Sequence, residues 1–141
     1  MAGDLALVRR LAALERGLAV VAVARANGSV HASVVNAGVL EHEPRPTSIA
    51  FVARGSARKL EHLRRRGQAT VVFRRGWEWV AVEGSVHVVG PDDDPDLPAL
   101  LRAIFTAAGG THDDWPTFDR VMADEGRVAV LVSPQRFTSN G

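Results

Sequence analysis

A short segment of the chain, residues 53–59 with the sequence ARGSARK, combines one hydroxyl group with three positive charges. The pattern predicts that Ala53 ends a strand, that Gly55 forms a turn and that Ser56 is the N-cap of a helix. The first turn of a helix presents N–H groups without partners and a partial positive charge, which together suit a phosphate group. The segment is therefore a candidate anion-binding turn.

Three cations supply full charge in this turn: Arg54, Arg58 and Lys59, the last of which is the only lysine of the chain. Arginine forms bidentate hydrogen bonds with phosphate oxygens, whereas lysine acts as a point charge. The same pattern also fits a solvated helix face on which Ser56 is only a cap, and the residues alone do not separate these two interpretations. The spacing matches neither the Walker A motif nor the GxGxxG fingerprint, so neither nucleotide-binding fold is indicated.

A second candidate region is the segment 30–40, VHASVVNAGVL, which is rich in small residues. Small side chains such as Ala32, Ser33 and Ala37 allow a flat ring to approach the backbone closely, and they equally fill a tight barrel interior. Asn36 is harder to explain as part of a core, because a buried amide must find hydrogen-bond partners.

Trp77 and Trp79 flank Glu78, so on a strand both rings lie on one face and the carboxylate lies on the other. Packing in a core or in a dimer interface is the more frequent use of such a pair. Their indole N–H groups need acceptors in either setting.

Composition and charge exclude several classes of function. The chain has no cysteine, which excludes disulfides, thiolate catalysis and thiolate metal sites. The five histidines lack metal-ligand spacing, so we predict no metal site; residues 92–94, DDD, fit a solvated acidic turn, and no Ser/His/Asp arrangement has a nucleophile elbow. A net charge of +1 argues against a nucleic-acid binder, and the arginine run 64–66 suits the negative end of a helix dipole.

Neither a membrane span nor a signal peptide is indicated. The longest apolar run, residues 18–24, has seven residues, whereas a span needs about 20. Asp4 stands near the N-terminus, and no small-residue cleavage signal follows a hydrophobic stretch. We therefore expect a soluble, cytoplasmic protein without a membrane partner.

Hydrophobic periodicity and turn residues place these candidates on a mixed set of helices and strands. Asn27-Gly28 is typical of a tight hairpin turn, and Gly84 predicts a bulge or bend in the fifth strand. Because a parallel sheet would need a helix after every strand, we predict a six-stranded antiparallel barrel with flanking helices, a single α+β domain over residues 1–141. The predicted elements are a helix at 4–15, strands at 18–25, 30–40 and 48–53, a helix at 57–66, strands at 69–74 and 77–89, helices at 97–108 and 115–124, a strand at 127–132 and a polar tail to 141.

Taken in order, these segments resemble the pyridoxamine-phosphate-oxidase-like split β-barrels. The resemblance rests on the valine-rich strand that ends in Asn-Gly, on the strand–Arg-Gly-Ser–helix segment with Lys59, and on HASVVN at 31–36 and HLRR at 62–65. Within that superfamily, GWEWVAVEG at 76–84 and the ending from residue 114 to residue 140 most resemble the deazaflavin-dependent oxidoreductases of actinobacteria, which use coenzyme F420. The resemblance extends over nearly the whole chain.

The resemblance implies a homodimer that holds a flavin-like cofactor in a groove between protomers. The phosphate tail would bind at the turn between the third strand and its helix, and the ring would lie along the second strand. Two tryptophans of the partner subunit would close the pocket. Relatives often carry an arginine two residues before the lysine, where this chain has Ala57. The implied cofactor-binding residues are Ser33, Val34, Val35, Asn36, Ala53, Arg54, Ser56, Arg58, Lys59, Trp77 and Trp79.

The implied function is an oxidoreductase in which F420 exchanges a hydride with a small unsaturated or conjugated acceptor. No catalytic acid or base is identified in the sequence. An FMN-binding flavoprotein of the same fold and a non-enzymatic cofactor-binding or storage protein are the alternatives. A haem- or bilin-handling protein on this barrel is a third.

Overall fold

The computed structural model describes residues 4–140, and over this range the chain forms the four helices and six strands in the predicted order, followed by a seventh strand that was not predicted. Gly141, the last residue of the predicted tail, lies outside the described residues. The elements are α1 (Leu5–Leu14), β1 (Leu18–Ala24), β2 (Val30–Leu40), β3 (Ser48–Arg54), α2 (Arg58–Arg66), β4 (Gln68–Arg75), β5 (Glu78–Val89), α3 (Leu97–Ala107), α4 (Trp115–Asp124), β6 (Arg127–Val132) and β7 (Arg136–Ser139).

Six of the strands close into an antiparallel barrel. The strand order is β4-β1-β2-β3-β6-β5, and β5 pairs back with β4 to complete the circle. The predicted α+β fold with a six-stranded antiparallel barrel and flanking helices is therefore confirmed. The polar tail is more ordered than predicted, because β7 pairs with residues 80–83 of β5 while Phe137 packs against the barrel core.

Apolar side chains form two clusters on the two sides of the sheet. The barrel interior is filled by residues such as Ile49, Phe51, Val71 and Phe73, all fully buried. A second cluster lies between the outer face of β3 and β6 and the helices α3 and α4. Strands β3 and β6 are thus covered on both faces, which explains their nearly continuous apolar sequences.

Local capping rules account for the starts of α1 and α4 and for the end of α2, but not for the start of α2. Asp4 caps α1 by accepting a hydrogen bond from the N–H of Leu7 at 3.0 Å, and Gly67 ends α2 in the left-handed region. The prediction that Ser56 is the N-cap of α2 is wrong. Ala57 occupies that position in extended conformation and makes no side-chain cap, so the helix begins one residue later than the serine pattern indicates. In the described range no helix is long and apolar enough to cross a membrane.

Strand β5 changes partner just after Gly84. Its residues up to Ser85 pair with β4, and its residues from Val86 onward pair with β6. A Cβ on Gly84 would lie 1.5 Å from the carbonyl oxygen of Ser133, so only glycine allows this close approach of the two backbones. The register shows no extra residue at this point, and the predicted irregularity is therefore a change of partner at a close backbone contact.

Candidate functional site

The main groove of the protein lies where β2 and β3 separate. Their pairing covers residues 37–40 and 48–51 and ends at the pair Ala37 and Phe51. Beyond that pair, residues 34–36 of β2 remain bonded to β1, and residues 52–54 of β3 remain bonded to β6. A cavity of about 640 Å³ opens between the two strands, a volume in the range of small-molecule and cofactor sites.

The end of α3 and one face of α4 form the roof of the groove. This roof is apolar, and its side chains are those of Ile104, Phe105, Ala108, Phe118 and Met122. The rings of Phe105 and Phe118 lie 5.0 Å apart, so the two helices present one continuous aromatic surface to the cavity.

Two glycines allow α3 to approach the strands closely. A Cβ on Gly38 would lie 2.1 Å from the carbonyl oxygen of Ala107, and a Cβ on Gly17 would lie 2.4 Å from the carbonyl oxygen of Ala108. The last turn of α3 therefore packs directly on the backbone of β2 and of the α1–β1 turn. This contact fixes the height of the roof above the groove.

A charged pair and an aromatic ring join α4 to α3. The guanidinium of Arg102 donates to both carboxylate oxygens of Asp119, at 2.9 Å for the Nε bond, and its carbon lies 5.4 Å from the ring centre of Trp115. The same hydrogen bond holds the pKa of Asp119 below its ordinary value. The resulting brace keeps the two roof helices together.

One end of the groove is cationic, with Arg54, Lys59 and Arg127 in its wall. Glu125 shares its carboxylate between two of them, at 3.4 Å from Nη2 of Arg54 and at 2.9 Å from Nε of Arg127. Lys59 has no ion pair with any described residue, and partial burial lowers the pKa of its ammonium group. Lys59 is therefore the cation at this end with no protein carboxylate to compete for it.

At the other end of the groove Asn36 holds the backbone of Arg16. The amide Nδ2 of Asn36 donates a hydrogen bond of 2.7 Å to the carbonyl oxygen of Arg16, and both residues line the cavity. The hydrogen-bond partner of this amide is thus a backbone carbonyl of the α1–β1 turn.

Six of the residues predicted from the sequence meet in this groove: Val34, Val35, Asn36, Ala53, Arg54 and Lys59. They come from β2, from the end of β3 and from the first turn of α2. The predicted ring-binding strand and the predicted anion-binding turn therefore face each other across one cavity.

Ser56 and Arg58 lie instead in a separate, shallow outer groove along α2, together with Arg64 and Arg65. Successive residues of a helix project about 100° apart. On α2, which begins at residue 58, Arg58 faces outward while Lys59 faces the main groove. The two adjacent cations thus serve different surfaces.

Ser33 points to the opposite side of β2 from Val34 and does not line the main groove. It lies on the same face of β2 as His31, whose ring lies 5.7 Å from that of His62. The Oγ of Ser33 and the Nδ1 atoms of both histidines are buried without a hydrogen-bond partner. Burial, followed by the positive charges nearby, lowers the pKa of His31 and favours its neutral form.

Trp77 and Trp79 do not line the groove of their own chain. Trp77 lies in the β4–β5 turn, not in β5 as predicted, and is 93% exposed. Trp79 is half-buried at the start of β5, where its backbone N–H donates to the Oδ1 of Asn140 at 3.1 Å.

Sequence reasoning missed the groove residues that come from distant parts of the chain. These are Arg16, Val52, Ala57, Ile104, Phe105, Ala108, Gly109, Gly110, Phe118, Met122 and Arg127. Gly109 and Gly110, which separate the third and fourth helices in the sequence, are a local signal that could have indicated this region. The remainder depends on how α3 and α4 pack across the sheet.

The chemistry of the groove is that of a binding site for a flat, anionic molecule. Among the described residues that line it there is no histidine, aspartate or glutamate. No group of three metal-ligating side chains occurs in residues 4–140 either. The apolar walls fit a planar ring, the cationic end fits a phosphate or carboxylate, and any redox chemistry must come from the bound molecule.

Comparison with known proteins identifies the family of this chain. The sequence model of the family described as pyridoxamine 5'-phosphate oxidase matches residues 8–140. A pyridoxamine 5'-phosphate oxidase-related, FMN binding protein from Nostoc punctiforme is 11% identical, with 95% of this chain and 78% of that chain covered and a TM-score of 0.67.

Two further solved structures share the fold. An F420 reductase is 15% identical over 98% of each chain, with a TM-score of 0.63. A haem storage protein from Vibrio cholerae is 12% identical, with 96% of this chain and 94% of that chain covered and a TM-score of 0.60. At these identities the likeness establishes the architecture, and the ligands named for these proteins remain properties of those proteins.

Proposed function

Because this chain belongs to the pyridoxamine 5'-phosphate oxidase family, we propose that its main groove binds a flavin-like cofactor and that the protein is an oxidoreductase. The observation that carries the proposal is the composition of the groove: apolar walls, one cationic end and no titratable carboxylate or imidazole in the described lining. Such a site binds and orients a reactive molecule without reacting itself.

Each part of the groove has a role in this proposal. Lys59 and Arg54 hold the anionic tail, and the backbone of β2 at Val34 and Val35 supports one face of the ring. Phe105 and the rest of the apolar roof exclude water from the reacting face. The cofactor, when bound, supplies the hydride for a small unsaturated or conjugated acceptor. Because the described lining lacks an acid, solvent supplies any proton that the acceptor requires.

Coenzyme F420 is the cofactor that we propose, with FMN as the alternative. The outer groove along α2 supports F420, because it adds Arg58, Arg64 and Arg65 beside the cationic end of the main groove. Of these three, only Arg65 pairs with a described carboxylate, that of Glu61 at 3.5 Å. A basic surface of this extent suits the longer polyanionic tail of F420, whereas FMN ends at its phosphate. The Arg58→Ala variant should therefore weaken F420 binding and leave FMN binding unchanged.

We further propose that two copies of the chain associate through the outer face of β1, β2, β4 and β5. Val34, Val20, Val72 and Ala81 form one apolar row across these four strands. Val34 is 65% exposed on this face and also lines the main groove, so a second copy seated here would cover the mouth of the groove. The tryptophans at the β4–β5 turn would then approach the cofactor of the partner.

The cofactor proposal is tested by titrating the purified protein with F420, FMN and haem. Cofactor fluorescence reports the first two ligands and the Soret absorbance reports the third. We expect saturable F420 binding tighter than FMN binding, and oxidation of reduced F420 when a quinone or an α,β-unsaturated acid is added. Much tighter binding of FMN would contradict the choice of F420. Saturable F420 binding without turnover of any acceptor would favour a storage protein.

The dimer proposal is tested by a charge placed on the apolar face. Val20→Arg should give a monomer in light-scattering or sedimentation measurements, because the charge would be buried between the two copies. Val121→Arg is the matched control, since Val121 is similarly exposed but lies on α4, away from this face. A monomeric wild-type protein, or a Val20→Arg variant that remains a dimer, would contradict the proposed interface.

A further inference from the structure

Arg16 has an unusual backbone conformation at the rim of the main groove. Its φ angle is 55°, and it is the only residue other than glycine with a positive φ among residues 4–140. This left-handed conformation is strained for a residue with a side chain and is natural for glycine. Arg16 directly follows the C-cap of α1, where a left-handed residue commonly ends a helix, so its conformation has a local origin and determines only where the side chain starts.

The surrounding structure fixes this turn from three sides. The amide of Asn36 donates to the Arg16 carbonyl oxygen at 2.7 Å, and the N–H of Gly17 donates to the carbonyl oxygen of Ala12 at 2.8 Å. Gly17 also lies against the carbonyl oxygen of Ala108, so closely that a Cβ there would be 2.4 Å away. The side chain of Arg16 therefore starts from a well-defined point next to the cavity.

The guanidinium of Arg16 has no role in these backbone contacts. The Arg16 side chain is exposed and makes no hydrogen bond or ion pair with any described residue, and Arg16 is one of the residues that line the groove. The amide nitrogen of Asn36 has a second N–H, which donates to no other described residue. A guanidinium and an amide N–H, both without partners among the described residues, thus belong to two groove residues that are joined by a hydrogen bond through the Arg16 backbone.

The two ends of the groove are chemically different. Asn36 and Val34 are two residues apart on β2, which is about 7 Å. The cationic end with Arg54, Lys59 and Arg127 lies toward Val34. A phosphate suits that cluster. A single planar guanidinium with a neighbouring amide N–H suits a carboxylate, which it binds through two parallel hydrogen bonds.

We propose that Arg16 and Asn36 form a second subsite of the groove, which binds the carboxylate of the substrate. The acceptor is accordingly a planar, conjugated carboxylic acid, held by its carboxylate while its unsaturated part lies over the cofactor. This assignment of the substrate class rests on the proposed function, in which the cofactor tail occupies the Lys59 end.

The decisive variant is Arg16→Gly, because it should change stability and binding in opposite directions. Glycine relieves the backbone strain, so we expect the midpoint of thermal unfolding to rise by about 2–5 °C. Loss of the guanidinium should weaken the binding of trans-cinnamate by about 10-fold or more and leave the binding of neutral cinnamamide within about 2-fold. Arg16→Lys should recover part of the cinnamate affinity. Arg120→Gln, which removes an exposed charge from α4, should change neither quantity.

Binding is measured by calorimetry on the protein saturated with whichever cofactor it takes. If wild-type protein binds neither F420 nor FMN, the proposed function fails, and the same cinnamate and cinnamamide titrations on the cofactor-free protein still test the subsite. Equal affinities of wild-type protein for the two compounds, or a preference for cinnamate that survives in Arg16→Gly, would overturn the proposal. A lower thermal midpoint for Arg16→Gly would also overturn it, because Arg16 would then be a structural residue of the α1–β1 turn.

Discussion

Replacement of Lys59 by alanine removes the cation at the phosphate end of the groove that pairs with no carboxylate of the described residues. A charge-assisted contact of this kind contributes about 1–3 kcal/mol, which corresponds to a loss of roughly 5- to 150-fold in affinity. The partial burial that lowers the pKa of Lys59 reduces solvent screening of its charge, so the effect should exceed that of an exposed ion pair, which is about 0.2–1 kcal/mol. The fold should be unaffected, because the variant breaks no ion pair with a described residue.

The assay is a fluorescence titration of wild-type and Lys59→Ala protein with FMN, whose single phosphate reports this end of the groove alone. Arg120→Ala is the control for loss of one positive charge, because Arg120 lies on the exposed side of α4 and, among the described residues, bonds only to the hydroxyl of Thr117. We expect the wild-type affinity to fall with added salt and the Lys59→Ala affinity to depend less on salt. Equal affinities of the two Ala variants would refute the assignment of Lys59 to the anion site. They would favour the interpretation in which Lys59 only belongs to a solvated helix face.

Three further predictions follow from the contacts around the groove. Glu125→Gln should tighten FMN binding by about 2- to 5-fold, because the carboxylate no longer competes for Arg54 and Arg127; an unchanged or weaker affinity would contradict this competition. The lowered pKa of His31 means that its neutral form stabilises the fold above the ordinary histidine pKa of about 6.5, so the thermal midpoint should fall as the pH falls below that value, and His31→Gln should reduce this fall. Gly38→Ala should destabilise the protein by about 2–4 kcal/mol in a urea titration, because its Cβ would meet a backbone carbonyl at the end of α3; an unchanged midpoint would show that the roof helix moves freely.

The sequence was informative where local rules determine structure. Asn27-Gly28 predicted the hairpin that joins β1 and β2, and the structure has a turn there with Gly28 at φ 87°. Alternating and continuous valine-rich segments predicted the strands of the barrel, since their burial follows the strand period or covers both faces. The resemblance to a known family then placed the second strand and the turn at Lys59 in one site, and the structure brings both to the same groove.

The sequence was less informative where tertiary contacts determine the local structure. The serine rule placed the N-cap of α2 one residue too early, and the sequence did not indicate that Lys59 faces the main groove while Arg58 faces the outer one. The left-handed conformation of Arg16 follows from its place at the end of α1, but its hydrogen bond with Asn36 joins two residues that are far apart in the chain. The β7 strand escaped prediction because its polar sequence pairs with an already formed edge of β5.

The central claim is that a flavin-like cofactor binds in the groove between β2 and β3. Amide hydrogen exchange of the wild-type protein, measured by mass spectrometry with and without saturating F420 and FMN, tests it most directly. We expect slower exchange with the bound cofactor in peptides that cover residues 34–36, 52–59 and 104–110. Exchange in the acidic loop at residues 91–96 should be unchanged. Saturable binding that protects only peptides outside these three segments would contradict it.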